Sequence, residues 1–197
     1  MKIALVSDIH ADARALRRVL DDLPSVDRIL CAGDAISEYR FCPETVDQLR
    51  RANVQCVQGN HEHVLFERNP AYLAKCRAEY APQLLDMLAE APKSFELEAA
   101  GARLLMIHAT PWDPFSGYIY PGSSHMRRVG KLPHDFVILG HTHVPMVEKV
   151  ARAGGAGTVT VINPGSCSEP RDGSRQGSYA ILDLERREVT IRKLRLD

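Results

Sequence analysis

Two histidines stand one residue apart in Gly140-His141-Thr142-His143, directly after the apolar run Phe136-Val137-Ile138-Leu139. The run reads as a buried strand and Gly140 as its break. Neutral imidazole is the commonest protein ligand for metals, so a histidine pair at a strand end points to a metal site. Taken alone, the pair fits a surface loop equally well. Four other strand-like runs end in similar chemistry. Asp8 and His10 follow Ile3 to Val6, Asp34 follows Arg28 to Ala32, Asn60 and His61 follow Val54 to Val57, and His108 follows Arg103 to Ile107. Sites in open α/β sheets form outside the carboxyl ends of strands. Three of these ends carry a glycine (Gly33, Gly59, Gly140), which is expected to let the backbone turn sharply there.

The donors are carboxylate, amide and imidazole, with almost no sulfur. Such a set suits Mn²⁺, Fe or Zn²⁺ rather than a structural zinc. Their number suits two divalent ions, with Asp34 as the natural bridge because it follows its strand alone. Two ions about 3.5–4 Å apart can hold a bridging hydroxide and clamp both oxygens of an in-line phosphoryl displacement. A single Asp or His in a loop is more often a cap or a turn residue. The joint pattern at five strand ends is what favours the metal reading.

The elements that must position these groups alternate in the first third of the chain. The order is strand, helix (capped by Asp12, with Leu16, Val19, Leu20 and Leu23 at helical spacing, closed by Pro24), strand, helix (from Pro43, with Val46 and Leu49), strand. A β-α-β-α-β order calls for a parallel sheet. Glu67 to Ala91 is helical, broken once at Pro82, with core stripes Tyr72-Leu73-Cys76-Tyr80 and Leu84-Leu85-Leu88. Phe95 to Ala99 and Arg103 to Ile107 form a hairpin around Gly101. The second half is strand-rich and is expected to make a mixed or antiparallel sheet: Phe136 to Leu139, Val144 to Val150, Val159 to Ile162, and a closing hairpin of Tyr179 to Leu184 with Glu188 to Leu196. Val189 and Ile191 share one parity while Leu194 and Leu196 take the other, which predicts a bulge near Lys193 or a strand ending there. The loop from Trp112 to Tyr120 is expected to be a lid or a subunit contact.

The 197 residues suffice for one domain, 1–197, with a real core. Lys plus Arg total 25 and Asp plus Glu total 25, so formal charge is zero, which argues against a long nucleic acid as partner but not against a small phosphorylated substrate. Five cysteines without C-x-x-C spacing fit a reduced, cytoplasmic setting. No run is long and apolar enough for a membrane span, and the first apolar run is too short for a signal peptide.

Asp8-x-His10, Gly33-Asp34, Gly59-Asn60-His61-Glu62, His108 and Gly140-His141-Thr142-His143 together resemble the calcineurin-like metallophosphoesterase family, in the family's order and over nearly the whole chain. Asn163-Pro164-Gly165-Ser166 and Pro170-Arg171-Asp172-Gly173 resemble the tail of its small single-domain phosphodiesterases. The resemblance implies an α/β fold, a four-layer αββα sandwich of two mixed sheets flanked by helices. It implies that Asp8, His10, Asp34 and His143 hold one metal, and that Asp34, Asn60, His108 and His141 hold the second. It implies that His61 is no ligand but acts beside the leaving group. Mn²⁺ is the first expectation for the metal, with Fe, Ni or Zn as alternatives.

One departure is informative. In the family's protein phosphatases the bridging Asp is followed by a second Asp, which orients the catalytic histidine, and by an Arg, which grips phosphate. Here the chain reads Gly33-Asp34-Ala35-Ile36-Ser37-Glu38-Tyr39. That argues against protein phosphatase activity, and against the diadenosine tetraphosphate hydrolase branch, which keeps the Arg. Arg40, His125 and Arg171 are candidate substrate contacts, although each also fits a solvated surface role. The expected activity is a phosphodiesterase on small or nucleotide-like substrates. A scaffold protein of the same fold, a nuclease, a phosphomonoesterase and a dinucleoside polyphosphate hydrolase are the rivals, and a homo-oligomer is left open.

Overall fold

The structure is a computed structural model and describes residues 1–195. The expected alternation is present at the N-terminus: β1 (Lys2–Val6), α1 (Ala13–Asp22), β2 (Arg28–Cys31), α2 (Pro43–Arg51) and β3 (Gln55–Cys56). The three strands pair in parallel, as short αβ connections require. The Asp12 carboxylate caps α1 by accepting from the N–H groups of Arg14 and Ala15. Pro43 opens α2, where its missing N–H leaves no intrahelical bond unmade.

Helical structure then begins earlier than the Leu and Tyr stripes predict. It starts at α3 (Asn60–His63), runs through a π-helical turn (Val64–Arg68), and breaks at Asn69 before α4 (Pro70–Glu79) and again before α5 (Pro82–Ala89). Two prolines, not one, interrupt it, since neither Pro70 nor Pro82 can continue a preceding helix. The hairpin β4 (Ser94–Ala99) and β5 (Ala102–Ile107) follows as expected, then the short α6 (Met126–Val129), β6 (Phe136–Ile138), β7 (Met146–Ala151), β8 (Thr158–Asn163), β9 (Gln176–Asp183) and β10 (Glu188–Arg195).

These strands form two five-stranded mixed sheets, ordered β10-β9-β1-β2-β3 and β4-β5-β6-β8-β7. In the second, β5, β6 and β8 run parallel, and β4 and β7 cover them antiparallel. The closing hairpin leaves the second half's sheet and joins the first, with β9 antiparallel to β1. Its β10 has no bulge: the ladder to β9 runs unbroken from Glu188 to Arg195. The change of parity has another cause. Val189 and Ile191 pack between the sheets, whereas Leu194 packs on the helical side of the first sheet. Leu196, also part of that expectation, lies outside the described residues.

Because strand side chains alternate in direction, each sheet buries two faces. Between the sheets lie Ile3, Leu5, Leu30, Met106, Phe136 and Ile138. The other face of the first sheet carries Val6, Cys31 and Tyr179 under Leu16, Val19, Leu49 and Leu85 of the helices. The outer face of the second sheet carries Ile107, Val137, Leu139 and Val161. It is covered more thinly, by Ile119 of the 111–125 loop and by Met126 and Val129 of α6. Each such side chain contributes roughly 1.5–3 kcal/mol when fully buried. Phe136 is 1% exposed at the centre of the inter-sheet layer. Phe136→Ala is expected to lower unfolding free energy by about 3–5 kcal/mol, read as a shift of the urea midpoint with little change in slope.

Candidate metal centre

The carboxyl ends of β1, β2, β3, β5 and β6 converge on one side of the molecule. There the side chains form three overlapping groups whose donor atoms lie within 4.8 Å of one another: Asp8, His10 and His143; His10, Asp34 and His61; Asp34, His108 and His141. Asp34 is common to two of them. Its Oδ2 lies 3.9 Å from His10 Nε2, 3.8 Å from His61 Nε2 and 3.2 Å from His108 Nε2. Asn60 joins through its Oδ1, 3.1 Å from His108 Nε2. All eight residues singled out in the sequence are therefore in one place.

The chain turns abruptly to deliver them. Asp8, His10, Asp34, His141 and His143, five of the seven expected ligands, have φ between 49° and 67°. A non-glycine residue held in that left-handed region costs of order 1–3 kcal/mol, and such residues gather at functional sites. The turns are held by backbone bonds from the first loop to the second, with Ile9 and His10 both donating N–H to the Asp34 carbonyl at 2.8 and 3.0 Å. The glycines do a different job from the one expected. Only Gly33 has a positive φ, 93°. Gly59 and Gly140 are needed for close approach: a Cβ on Gly59 would meet Asp34 Oδ1 at 2.1 Å, and one on Gly140 would meet Ser7 Oγ at 2.1 Å.

Several residues outside the expected set hold it in shape. Glu62, buried to 1% exposure, accepts N–H bonds from Asp34 (2.9 Å), Ile36 (3.1 Å) and Gly59 (2.8 Å), tying two ligand loops together. Asn163, the last residue of β8, donates to the Gly140 carbonyl at 2.6 Å, and Ser166 Oγ donates to the Asp8 carbonyl at 2.6 Å. Asn163 continues the pattern of polar residues at strand ends and was open to detection on that ground. The clamp made by Glu62 was not, because a buried carboxylate that accepts from remote backbone has no local sequence signature.

The donor set fits a divalent cation. His143 Nδ1 bonds the Glu169 carbonyl at 2.7 Å, which places its proton there and leaves a lone pair on Nε2. That Nε2 faces His10 Nε2 at 3.0 Å. Burial lowers His10 to about 3 and His141 and His143 to about 4, so all three are neutral acceptors at pH 7. Two neutral imidazole nitrogens brought this close, beside the Asp8 carboxylate, make a donor set that suits a cation. Burial also works to raise the Asp34 pKa, but the imidazoles of His108 and His61 overcome it and hold the carboxyl below its usual range. His108 shows the reverse balance: burial opposes its charge, Asp34 and Asp8 favour it, and its pKa rises to about 10. In the metal-free protein an imidazolium thus stands in for part of the cation.

The three candidate substrate contacts separate. The Arg40 guanidinium donates to the His10 carbonyl and is part of the scaffold. His125 packs against Trp112, at 5.4 Å between ring centroids. Arg171 donates its backbone N–H to the His143 carbonyl at 3.2 Å and leaves its side chain exposed. The 112–120 loop lies against the site, with the Tyr118 ring stacked on His141 at 4.4 Å and 13°. A cavity of about 310 Å³ opens beside Asn60, between the π turn and Phe115.

Two outcomes follow from this electrostatics and packing. Burial raises Asp8 to about 7 and His108 sits near 10, so both must shed protons to bind a metal. Manganese loading at pH 7 is expected to release protons, and affinity to rise with pH toward 10. Titration calorimetry in two buffers of different ionisation enthalpy reads this, and equal heats would refute it. Glu62→Ala strands three buried N–H groups and is expected to cost at least about 3 kcal/mol in urea unfolding. It should also lower the manganese retained after gel filtration.

Comparison with known proteins agrees with the fold. Residues 1–187 match the calcineurin-like phosphoesterase superfamily domain. The chain is similar to an uncharacterised protein of Methanocaldococcus jannaschii, at 29% identity over 99% of this chain and 88% of that one. It is also similar, at 30% identity, to a symmetrical bis(5'-nucleosyl)-tetraphosphatase of Paracidovorax citrulli, over 55% of this chain and 44% of that protein. Among solved structures, a metallophosphoesterase from Sphaerobacter thermophilus superposes with a TM-score of 0.77 at 26% identity, covering 98% of this chain and 88% of that one. No helix among the described residues is long and apolar enough to cross a membrane. With its ordered motifs, its paired mixed sheets and its gathered His/Asp cluster, the chain belongs to the calcineurin-like phosphoesterases, a family of metal-dependent hydrolases.

Proposed function

We propose that this protein is a dinuclear-metal phosphodiesterase acting on small or nucleotide-like phosphodiesters. The observation that carries this reading is the overlap on Asp34 of two His/Asp groups, one of which includes His61. Asp8, His10, Asp34 and His143 would hold one ion; Asp34, Asn60, His108 and His141 would hold the other. Bound there, the ions would polarise the phosphoryl oxygens and supply the nucleophile. Manganese suits the mixed oxygen and nitrogen donors, and Fe, Ni or Zn are the alternatives. Five free cysteines, four of them buried, are consistent with a cytoplasmic setting.

His61 is set up to stabilise the leaving group as a hydrogen-bond donor. The Glu38 backbone N–H donates to His61 Nδ1 at 2.9 Å. An N–H can only donate, so Nδ1 is an acceptor and the proton of the neutral ring sits on Nε2. Nε2 is the atom that faces Asp34 and the cluster. The carboxylate that orients this histidine in the family's protein phosphatases is thus replaced by main chain. Arg171, anchored through its backbone to His143, would give the substrate phosphate a cation from the C-terminal segment, in place of the Arg that this chain lacks after Asp34.

A second reading, hydrolysis of dinucleoside polyphosphates, draws on the partial match to the bis(5'-nucleosyl)-tetraphosphatase. The absence of the phosphate-gripping Arg disfavours it. Hydrolysis of bis-p-nitrophenyl phosphate is expected to be stimulated by Mn²⁺. His61→Ala should lower kcat by about 10²- to 10⁴-fold while bound manganese stays unchanged. Turnover indifferent to both metal and His61 would refute the proposal and favour a scaffold role.

A further inference from the structure

The exposed large hydrophobic side chains among the described residues are Tyr39, Tyr118, Tyr120 and Val147, and Tyr118 lies against the candidate metal centre. Tyr118 stacks on His141 at 4.4 Å, and Tyr120 follows with its ring 5.9 Å from that of Tyr118 and only 16° off parallel. Parallel rings with centroids that far apart are laterally offset, so each leaves part of a face uncovered. Tyr118 remains 49% exposed and Tyr120 45%. His141, Tyr118 and Tyr120 therefore form a run of three near-parallel rings, the last two half exposed. Tyr39, 68% exposed, stands on the opposite loop, between Glu38, which holds His61, and Arg40, which holds the His10 carbonyl.

Shielding of His141 explains one ring. It does not explain the second, which touches no candidate ligand and exposes apolar surface to water. We infer that the Tyr118–Tyr120 step is a stacking platform for the nucleobase of a nucleotide whose phosphate occupies the metal centre. Base–aromatic stacking is tolerant of base identity, because every base has a π face. The formal charge of zero favours a single nucleotide unit over a long polymer. This inference rests on the phosphoesterase reading and adds to it the organic part of the substrate.

The test compares binding of AMP and ribose 5-phosphate to the manganese-loaded protein by titration calorimetry, since the two differ only in the base. The wild type is expected to bind AMP at least about tenfold more tightly. Tyr120→Ala, which leaves the candidate ligands untouched, should bring the ratio close to one without altering manganese content. Tyr120→Phe should keep the ratio, and Tyr118→Ala should lose it. Equal affinities in the wild type, no binding of either compound, or a ratio unchanged in Tyr120→Ala would overturn the inference. Because binding is read without turnover, failed hydrolysis of bis-p-nitrophenyl phosphate would count against the phosphoesterase reading separately.

Discussion

A carboxylate at 1% exposure has lost its water and must be answered by positive charge, and in this protein that carboxylate is Asp34. Imidazoles meet it from three directions: His10 from the β1 loop, His61 from α3 and His108 from β5. His10 is held neutral by burial, whereas His108 takes up the proton that partly compensates Asp34 in the metal-free state. The charge balance of the centre is therefore shared between two sheets. A cation arriving there replaces a proton rather than entering an empty field of negative charge.

Holding that balance requires unfavourable backbone. Five candidate ligands in the left-handed region represent several kcal/mol of local strain. It is offset by a lattice of bonds that crosses between loops: Glu62 to three N–H groups, Asn163 to the Gly140 carbonyl, Ser166 to the Asp8 carbonyl. The absence of side chains at Gly59 and Gly140 lets those loops approach to bonding distance. Fold stability and site geometry thus rest on the same contacts, and the inter-sheet layer beneath them keeps the two sets of strand ends in register.

Within its family the chain differs at the support of His61. A main-chain N–H, here that of Glu38, donates to His61 Nδ1 and selects the tautomer with its proton on Nε2. The difference lies in the backbone path of residues 37–40, where Arg40 and Glu38 fasten the loop to His10 and His61.

Much of this was legible in the amino-acid sequence because the information was local. Short apolar runs, the Asp12 cap, Pro43 at the start of α2, and polar residues just past strand ends depend on neighbours a few positions away. They sufficed to pick out the parallel strands of the first sheet, a mixed second sheet and the eight residues that the structure gathers, and the family resemblance supplied the sandwich. What depended on contacts between distant segments was not legible. The β9–β10 hairpin crosses to the first sheet because β1 has an open edge there, and no residue within the hairpin records that edge. The parity change at Leu194 marks an edge strand with half-buried side chains on both faces, which looks like a bulge until the layers are in place. Glycines at strand ends looked like turns, yet two of them are there because a remote carboxylate and hydroxyl leave no room for a Cβ. Sequence alone determined which groups were available for chemistry. Only tertiary structure decided which of them face one another, how each is protonated and what holds it, because those are properties of distances between residues as far apart as 8 and 143.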